Sequence, residues 1–329
     1  MSYKDFPKVE LHHHLEGAAP PAFVRDMARA KGLEISNIFD AKGAYAYRDF
    51  PDFLKVYEAA TRPFSTPDDY ALLTAIVAGE AAEQGVVYLE TFLSPDFCGG
   101  RDPVAWQEYL AAMFEAAVAA EQLGITLRGI VTAVRHSGPE AAREAARCAQ
   151  ESAGDFIVGF GMGGAEDAYD TAEFAYAFDM AREAGLRLTS HAGEWGGPAS
   201  VRDTLTHLKV ERIGHGVQAI EDPALVAELA ERGTVLEVCP GSNVALGLYP
   251  SWEAHPIARL RAAGVPVTVS TDDPPFFHTT MTREFEELDR AFGWGVDDFA
   301  ALNRVALDAA FCDDRTRAEI EKRLEPADA

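Results

Sequence analysis

A chain of 329 residues with 53 acidic against 29 basic side chains has a net charge of −24. Such a charge repels polyanions unless one face is locally basic, and no basic cluster interrupts the sequence, which excludes nucleic acid as a partner. Nearly half of the chain is apolar, yet no apolar run is long enough to cross a bilayer and the opening MSYKDFPK lacks a secretion-signal pattern, so a soluble cytoplasmic protein with no membrane partner is expected.

Taken in chain order, the first predicted strand is VELHHHL (9–15). Its three histidines are embedded in an apolar run, which sets them apart from a terminal tag. Alternation along a strand puts His12, His14 and Glu16 on one face and Leu11, His13 and Leu15 on the other, so two imidazoles can converge on one ion. Residues 18–84 are too long for a single crossover, and FPDFLKVYEAA (50–60) within them reads as an extra amphipathic helix. Further strands are predicted at 86–94, 127–137, 156–164, 186–193, 212–217, 234–243 and 266–273. Between most of them lie amphipathic helices such as PEAAREAARCAQESAG and DPALVAELAERG that run into a glycine. Cys98, Cys148, Cys239 and Cys312 are far apart and form no C-x-x-C pair, so they read as buried small residues.

Eight apolar strands alternating with helices predict an α/β fold, a parallel (β/α)8 barrel, over a single domain spanning 1–329. A doubly wound open sheet also alternates, but no G-x-G-x-x-G follows an early strand. The helical insertion around 18–84 and the aromatic segment starting PPFFHTT (274–280) both follow strand C-termini, where barrels build their sites, and are expected to act as lids.

The polar residues at the predicted strand ends are His12 and His14, His191 and Glu194 in SHAGE, His215 in RIGHG, and Asp272 and Asp273 in STDDP. Strands one, five, six and eight share one ring, so these side chains can meet above its centre. Three imidazoles and a carboxylate suit zinc with one position left for water, whose pKa then falls to about 7. FIVGFGMGG supplies no lysine or glutamate to bridge two metals, so one zinc ion per chain is expected.

PKVELHHHLEG, SHAGEWGGP, RIGHG, LEVCPGSN and STDDP, in this order, resemble the adenosine and adenine deaminase family of the amidohydrolase superfamily, and the likeness extends to NRVALDAAFCDD near the end. The resemblance implies a zinc-dependent hydrolytic deaminase acting on a small aminopurine. It makes His12, His14, His191 and Asp272 the zinc ligands and Glu194 the donor of a proton to the ring nitrogen beside the reacting carbon. It has His215 orient the attacking oxygen, Asp273 bind N7, and the backbone of Gly164 contact the ring. His14 and Glu16 also belong to the expected substrate-binding set, and Asp272 joins Glu194 and His215 in the expected catalytic set. An acid beside the nucleophile is chemically required, because an aromatic amine is a poor target until a ring nitrogen is protonated. A second deaminase class uses H-x-E with P-C-x-x-C; His14-Leu15-Glu16 fits the first half, but Cys239-Pro240-Gly241 reverses the order and lacks the second cysteine.

The substrate signals conflict. Glu16 stands where adenosine deaminases commonly carry aspartate, and HLEG, RHSGPEAA and AFCDD resemble the adenine-specific relatives. GMGGAE is closer to the adenosine type, and Phe92 replaces an arginine usual in adenosine deaminases. Adenosine or deoxyadenosine is the expected substrate, with adenine or a modified aminopurine nucleoside as the alternative. A catalytically inactive nucleoside-binding barrel and a hydrolase of amides or esters are the readings from other classes. Met162, Phe276 and Phe277 are read as pocket lining or packing alike. His13, His207 and His255 are read as structural or surface residues, while His136 and His278 are within conceivable reach of substrate.

Overall fold

Eight parallel strands follow one another around a single sheet in chain order. They are β1 (Lys8–Glu10), β2 (Val86–Leu93), β3 (Thr126–Val134), β4 (Ile157–Gly163), β5 (Arg187–Ala192), β6 (Arg212–His215), β7 (Val235–Val238) and β8 (Val267–Val269) in a computed structural model that describes residues 3–325. Just beyond β1 and β8 the ends of the sheet meet. His14 N–H donates to Asp272 O at 3.0 Å, and Asp272 N–H donates to His12 O at 3.1 Å. The result is the expected (β/α)8 barrel.

Local sequence explains the helices. Prolines open the helices Pro67–Glu83, Pro103–Ala120, Pro139–Gln150 and Pro223–Arg232, where a missing N–H costs nothing. Thr66, Asp102 and Asp222 cap three of them through their side chains. Gly233, at a φ of 66°, ends one in the left-handed conformation that lets the chain turn back into β7. The helix Pro139–Gln150 buries five alanines and Cys148, a thin face that packs closely against β3.

Several strands are shorter than the apolar runs suggest. β1 stops at Glu10 because the amides of Leu11 and His12 donate to Ser270 Oγ instead of a ladder partner. β7 stops at Val238 because Pro240 begins a short helix, Pro240–Ala245. Residues 18–84 fold as Pro21–Ala30, Phe50–Thr61 and Pro67–Glu83, the last of which leads into β2 as the crossover helix. Among the described residues no helix is long and apolar enough to cross a membrane, and all four cysteines are buried and unbridged.

Candidate active site

The four side chains expected to hold metal meet at the C-terminal mouth of the barrel. His191 Nε2 lies 3.1 Å from His12 Nε2 and 3.2 Å from His14 Nε2, and Asp272 Oδ1 lies 3.6 Å and 3.3 Å from the same two atoms of His12 and His14. A tetrahedral ion bound at about 2.0–2.1 Å holds its donors roughly 3.3 Å apart, the spacing found here. The donors are also aimed. His191 faces the Met162 carbonyl with Nδ1 at 2.9 Å, and a carbonyl only accepts, so Nδ1 carries the proton and the Nε2 lone pair points inward. Burial and the neighbouring imidazoles of His12 and His215 keep His191 neutral. Three imidazoles converging on a carboxylate form an N/O set that fits a divalent metal such as zinc.

Beneath the donors lies a buried ionic chain that the sequence reading did not pick out. His12 Nδ1–H donates to Glu237 Oε2 at 2.8 Å, and the other oxygen of Glu237 accepts from Arg212 Nε at 2.6 Å and from Thr189 Oγ1 at 2.9 Å. Arg212 in turn reaches Glu90 Oε2 at 2.6 Å, and Tyr88 donates to the same carboxylate. Burial pushes the Glu237 carboxyl up, but Arg212 and His12 outweigh it and hold it at about 2. A lone charged residue inside an apolar strand, as in LEV or YLET, was the signal that a partner was required. Ser242 donates to Asp272 Oδ2 at 2.7 Å, which leaves Oδ1 for the donor cluster, and the ring of Phe92 packs under His12 and His14.

Glu194 and its neighbours stand beside this cluster and line a cleft with it. Glu166 accepts backbone hydrogen bonds from Gly193, Glu194, Trp195 and Gly196, and so fixes the loop that carries Glu194. Burial, with the charges of Asp272 and Glu166, pushes the Glu194 carboxyl well above its ordinary range. His215 Nε2 lies 3.8 Å from Glu194 Oε2 and 3.8 Å from Asp272 Oδ2, and burial pushes its pKa down to about 3. His215 and Asp272 both adopt left-handed backbone angles, φ 59° and 65°, an uncommon conformation for such residues and one that concentrates at functional sites. Asp273 is buried, and its Oδ1 has no hydrogen-bond partner. Burial and the charges of Asp272, Glu194 and Glu16 push its carboxyl far upward. Gly17 makes room for it, since a Cβ there would lie 1.5 Å from Asp273 Oδ1.

These groups line a cleft of about 650 Å³ together with Gly164, His136, Phe277 and the Phe50–Thr61 helix, which contributes Phe50, Phe53, Leu54, Tyr57 and Glu58. At the rim Phe50 packs on Trp195, and Glu58 meets His136 Nε2 at 3.3 Å. Glu16 departs from expectation. Strand-like alternation holds from His12 to His14, but the chain then turns, with Ala18 N–H bonded to His14 O, and Glu16 is not among the residues that line the cleft. It is buried, accepts a hydrogen bond from Tyr70 Oη at 3.2 Å, and is pushed up by burial to about 7. Phe277 lines the cleft, whereas Met162 and Phe276 pack in the core and His278 lies outside the lining. His13 is buried against Thr91, His207 is exposed, and His255 is buried beside the site.

Comparison with known proteins agrees with this geometry. An adenine deaminase of Rhizobium rhizogenes is 48% identical over 319 residues, covering 96% of this chain and 98% of that protein. The crystal structure of an adenine deaminase from Arthrobacter aurescens superposes with a TM-score of 0.89 at 28% identity, covering 97% of this chain and 98% of its own. An amidohydrolase from Burkholderia ambifaria with bound Zn superposes at 0.87 and 28% identity, covering 98% and 90%. The model of the adenosine deaminase family matches residues 7–327, and the chain belongs to that family.

Proposed function

We propose that the protein is a zinc-dependent deaminase of free adenine, converting adenine and water to hypoxanthine and ammonia. One observation carries the reaction: a buried glutamate held protonated, Glu194, faces the same small space as an aimed N/O donor cluster. The choice of adenine over the adenosine expected from sequence rests on the 48% identity with adenine deaminases along nearly the whole chain.

His12, His14 and His191 through Nε2 and Asp272 through Oδ1 would hold one zinc ion. When bound, zinc supplies the Lewis acidity that makes water nucleophilic at neutral pH. Glu194 gives its proton to N1 of the purine, which draws electrons from C6 and opens that carbon to attack. His215 stays neutral and directs the attacking water, while the ionised Asp272 accepts a hydrogen bond from it. Asp273, protonated, donates to N7, and the Gly164 backbone borders the ring. The C6–N bond then breaks: one proton of the attacking water ends on the departing amine, the other returns to Glu194 as the C6 carbonyl forms, and ammonia leaves.

The test is incubation of zinc-loaded protein with adenine, adenosine, deoxyadenosine and modified aminopurines, followed by ultraviolet change and ammonia release, with Glu194→Ala as control. Turnover of adenine that is lost in the control is expected. Faster turnover of adenosine than adenine would overturn the substrate, and silence toward every aminopurine with zinc bound would overturn the reaction.

A further inference from the structure

We propose that Asn243, locked by His255, assigns the protons of both His215 and Glu194, so that His215 meets the attacking oxygen as a hydrogen-bond donor rather than as a base. The proposal rests on the deaminase reading for its catalytic meaning, but the proton placement follows from hydrogen-bond bookkeeping alone.

The bookkeeping starts at a group whose role is fixed. Ile257 N–H, a backbone donor, reaches His255 Nδ1 at 3.2 Å, so that nitrogen is an acceptor and the imidazole is neutral. Burial agrees, pushing the His255 pKa down to about 3. The remaining proton sits on His255 Nε2, which lies 3.1 Å from Asn243 Oδ1. An N–H facing the side-chain amide requires its oxygen there, so the NH2 end of Asn243 must face the other way. It faces His215 Nδ1 at 3.4 Å and Glu194 Oε1 at 3.5 Å, one partner for each of its two hydrogens.

The relay therefore ends on both catalytic groups. His215 Nδ1 accepts, so a neutral His215 carries its proton on Nε2, the atom turned toward Asp272 and Glu194. Glu194 Oε1 accepts, so the acid's proton belongs on Oε2, the oxygen nearer His215 Nε2. Asn243 and His255 are both almost wholly buried, and the carbonyl of Asn243 accepts from Leu248 and Tyr249, which fixes the residue from its backbone side as well. Asn243 and His255 are thus positioning residues, with His255 acting at one remove.

The test is histidine side-chain nitrogen NMR on the zinc-loaded protein, with kcat and KM for the aminopurine turned over. His215 is expected to show a bare Nδ1 and a protonated Nε2. Asn243→Asp places an acceptor opposite Nδ1 and is expected to move the proton there, with kcat lowered by about 1,000-fold or more and KM little changed, as a misassigned tautomer costs elsewhere. His255→Leu frees the amide to rotate and is expected to lower kcat by tenfold or more, whereas His255→Gln, which can still donate, restores most of it. A wild-type His215 protonated at Nδ1, or an Asn243→Asp protein that is folded and zinc-loaded with spectrum and kcat unchanged, overturns the proposal. Failure of the deaminase reading is distinguishable, because it leaves the spectrum assignable while no aminopurine is consumed.

Discussion

Replacing Glu237 with glutamine tests the buried ionic chain beneath the metal donors. The substitution keeps size and one acceptor for His12 but removes the negative charge that Arg212 faces at 2.6 Å. Glu237 is held at about 2 against an ordinary 4.5. A depressed carboxyl contributes stability that is fully present above 4.5 and is lost as pH falls through 2, in total about 3 kcal/mol. Breaking one partner out of a buried pair costs a comparable 3–5 kcal/mol or so. Unfolding entropy near 0.7 kcal/mol/K for a chain of this length converts about 3 kcal/mol into a fall in Tm of roughly 4 °C. The assay is urea unfolding of the metal-free wild type and Glu237→Gln at pH 6 and pH 3. The wild-type advantage is expected to shrink by about 2 kcal/mol over that interval, because the variant has no proton to gain at this site. A gap that stays constant with pH would refute the assignment. Zinc affinity supplies a second readout, expected to fall by about 10–100-fold once the partner of His12, a proposed ligand, is weakened.

Three further outcomes follow from the site. On the proposed mechanism Asp273 donates to N7 in its protonated form, so activity is expected to fall as pH rises through its elevated pKa. Asp273→Asn cannot ionise and flattens that alkaline limb, and a pH–rate profile unchanged by the substitution would contradict the role. Gly17→Ala drives a methyl group into Asp273 Oδ1, so kcat/KM is expected to drop by about 100-fold through misplaced substrate contacts while metal content is unchanged; retained activity would show that the carboxyl is free to move aside. Chelation is expected to abolish turnover and lower Tm, and added zinc to restore both, since a ligand that binds only the folded state stabilises it by mass action. An unchanged Tm after metal removal would argue against the site.

The barrel was legible because buried parallel strands need continuous apolar runs, and the donor residues stood out because histidines and aspartates at the ends of such runs have no packing role. His12, His14, His191, Glu194, His215, Asp272 and Asp273 are brought together at one mouth. What alternation misjudged was Glu16, because a turn after His14 ends the period-two pattern and the pattern itself carries no record of where a strand stops. Arg212, Glu237 and Asn243 do not stand out in the sequence as site residues, and His255 reads there only as structural or surface, for a different reason. Each acts through a partner from another strand or loop, and linear spacing cannot show that His255 reaches His215 through an amide or that Glu90 and Glu237 share one guanidinium.

The join between the first and last strands has a consequence for synthesis and folding. His12 takes a backbone hydrogen bond from Asp272 and gives one to the side chain of Ser270, a residue 258 positions away. The donor cluster takes His12, His14 and Asp272 from the same two segments and His191 from β5, so it is not complete until the eighth strand has left the ribosome and docked. An ion held there is a clasp fastened late, across a loop that spans most of the chain. It then resists the reverse step as well. Metal should slow unfolding more than it speeds folding, so that the loaded protein outlives its apo form in a protease by more than their difference in melting temperature suggests.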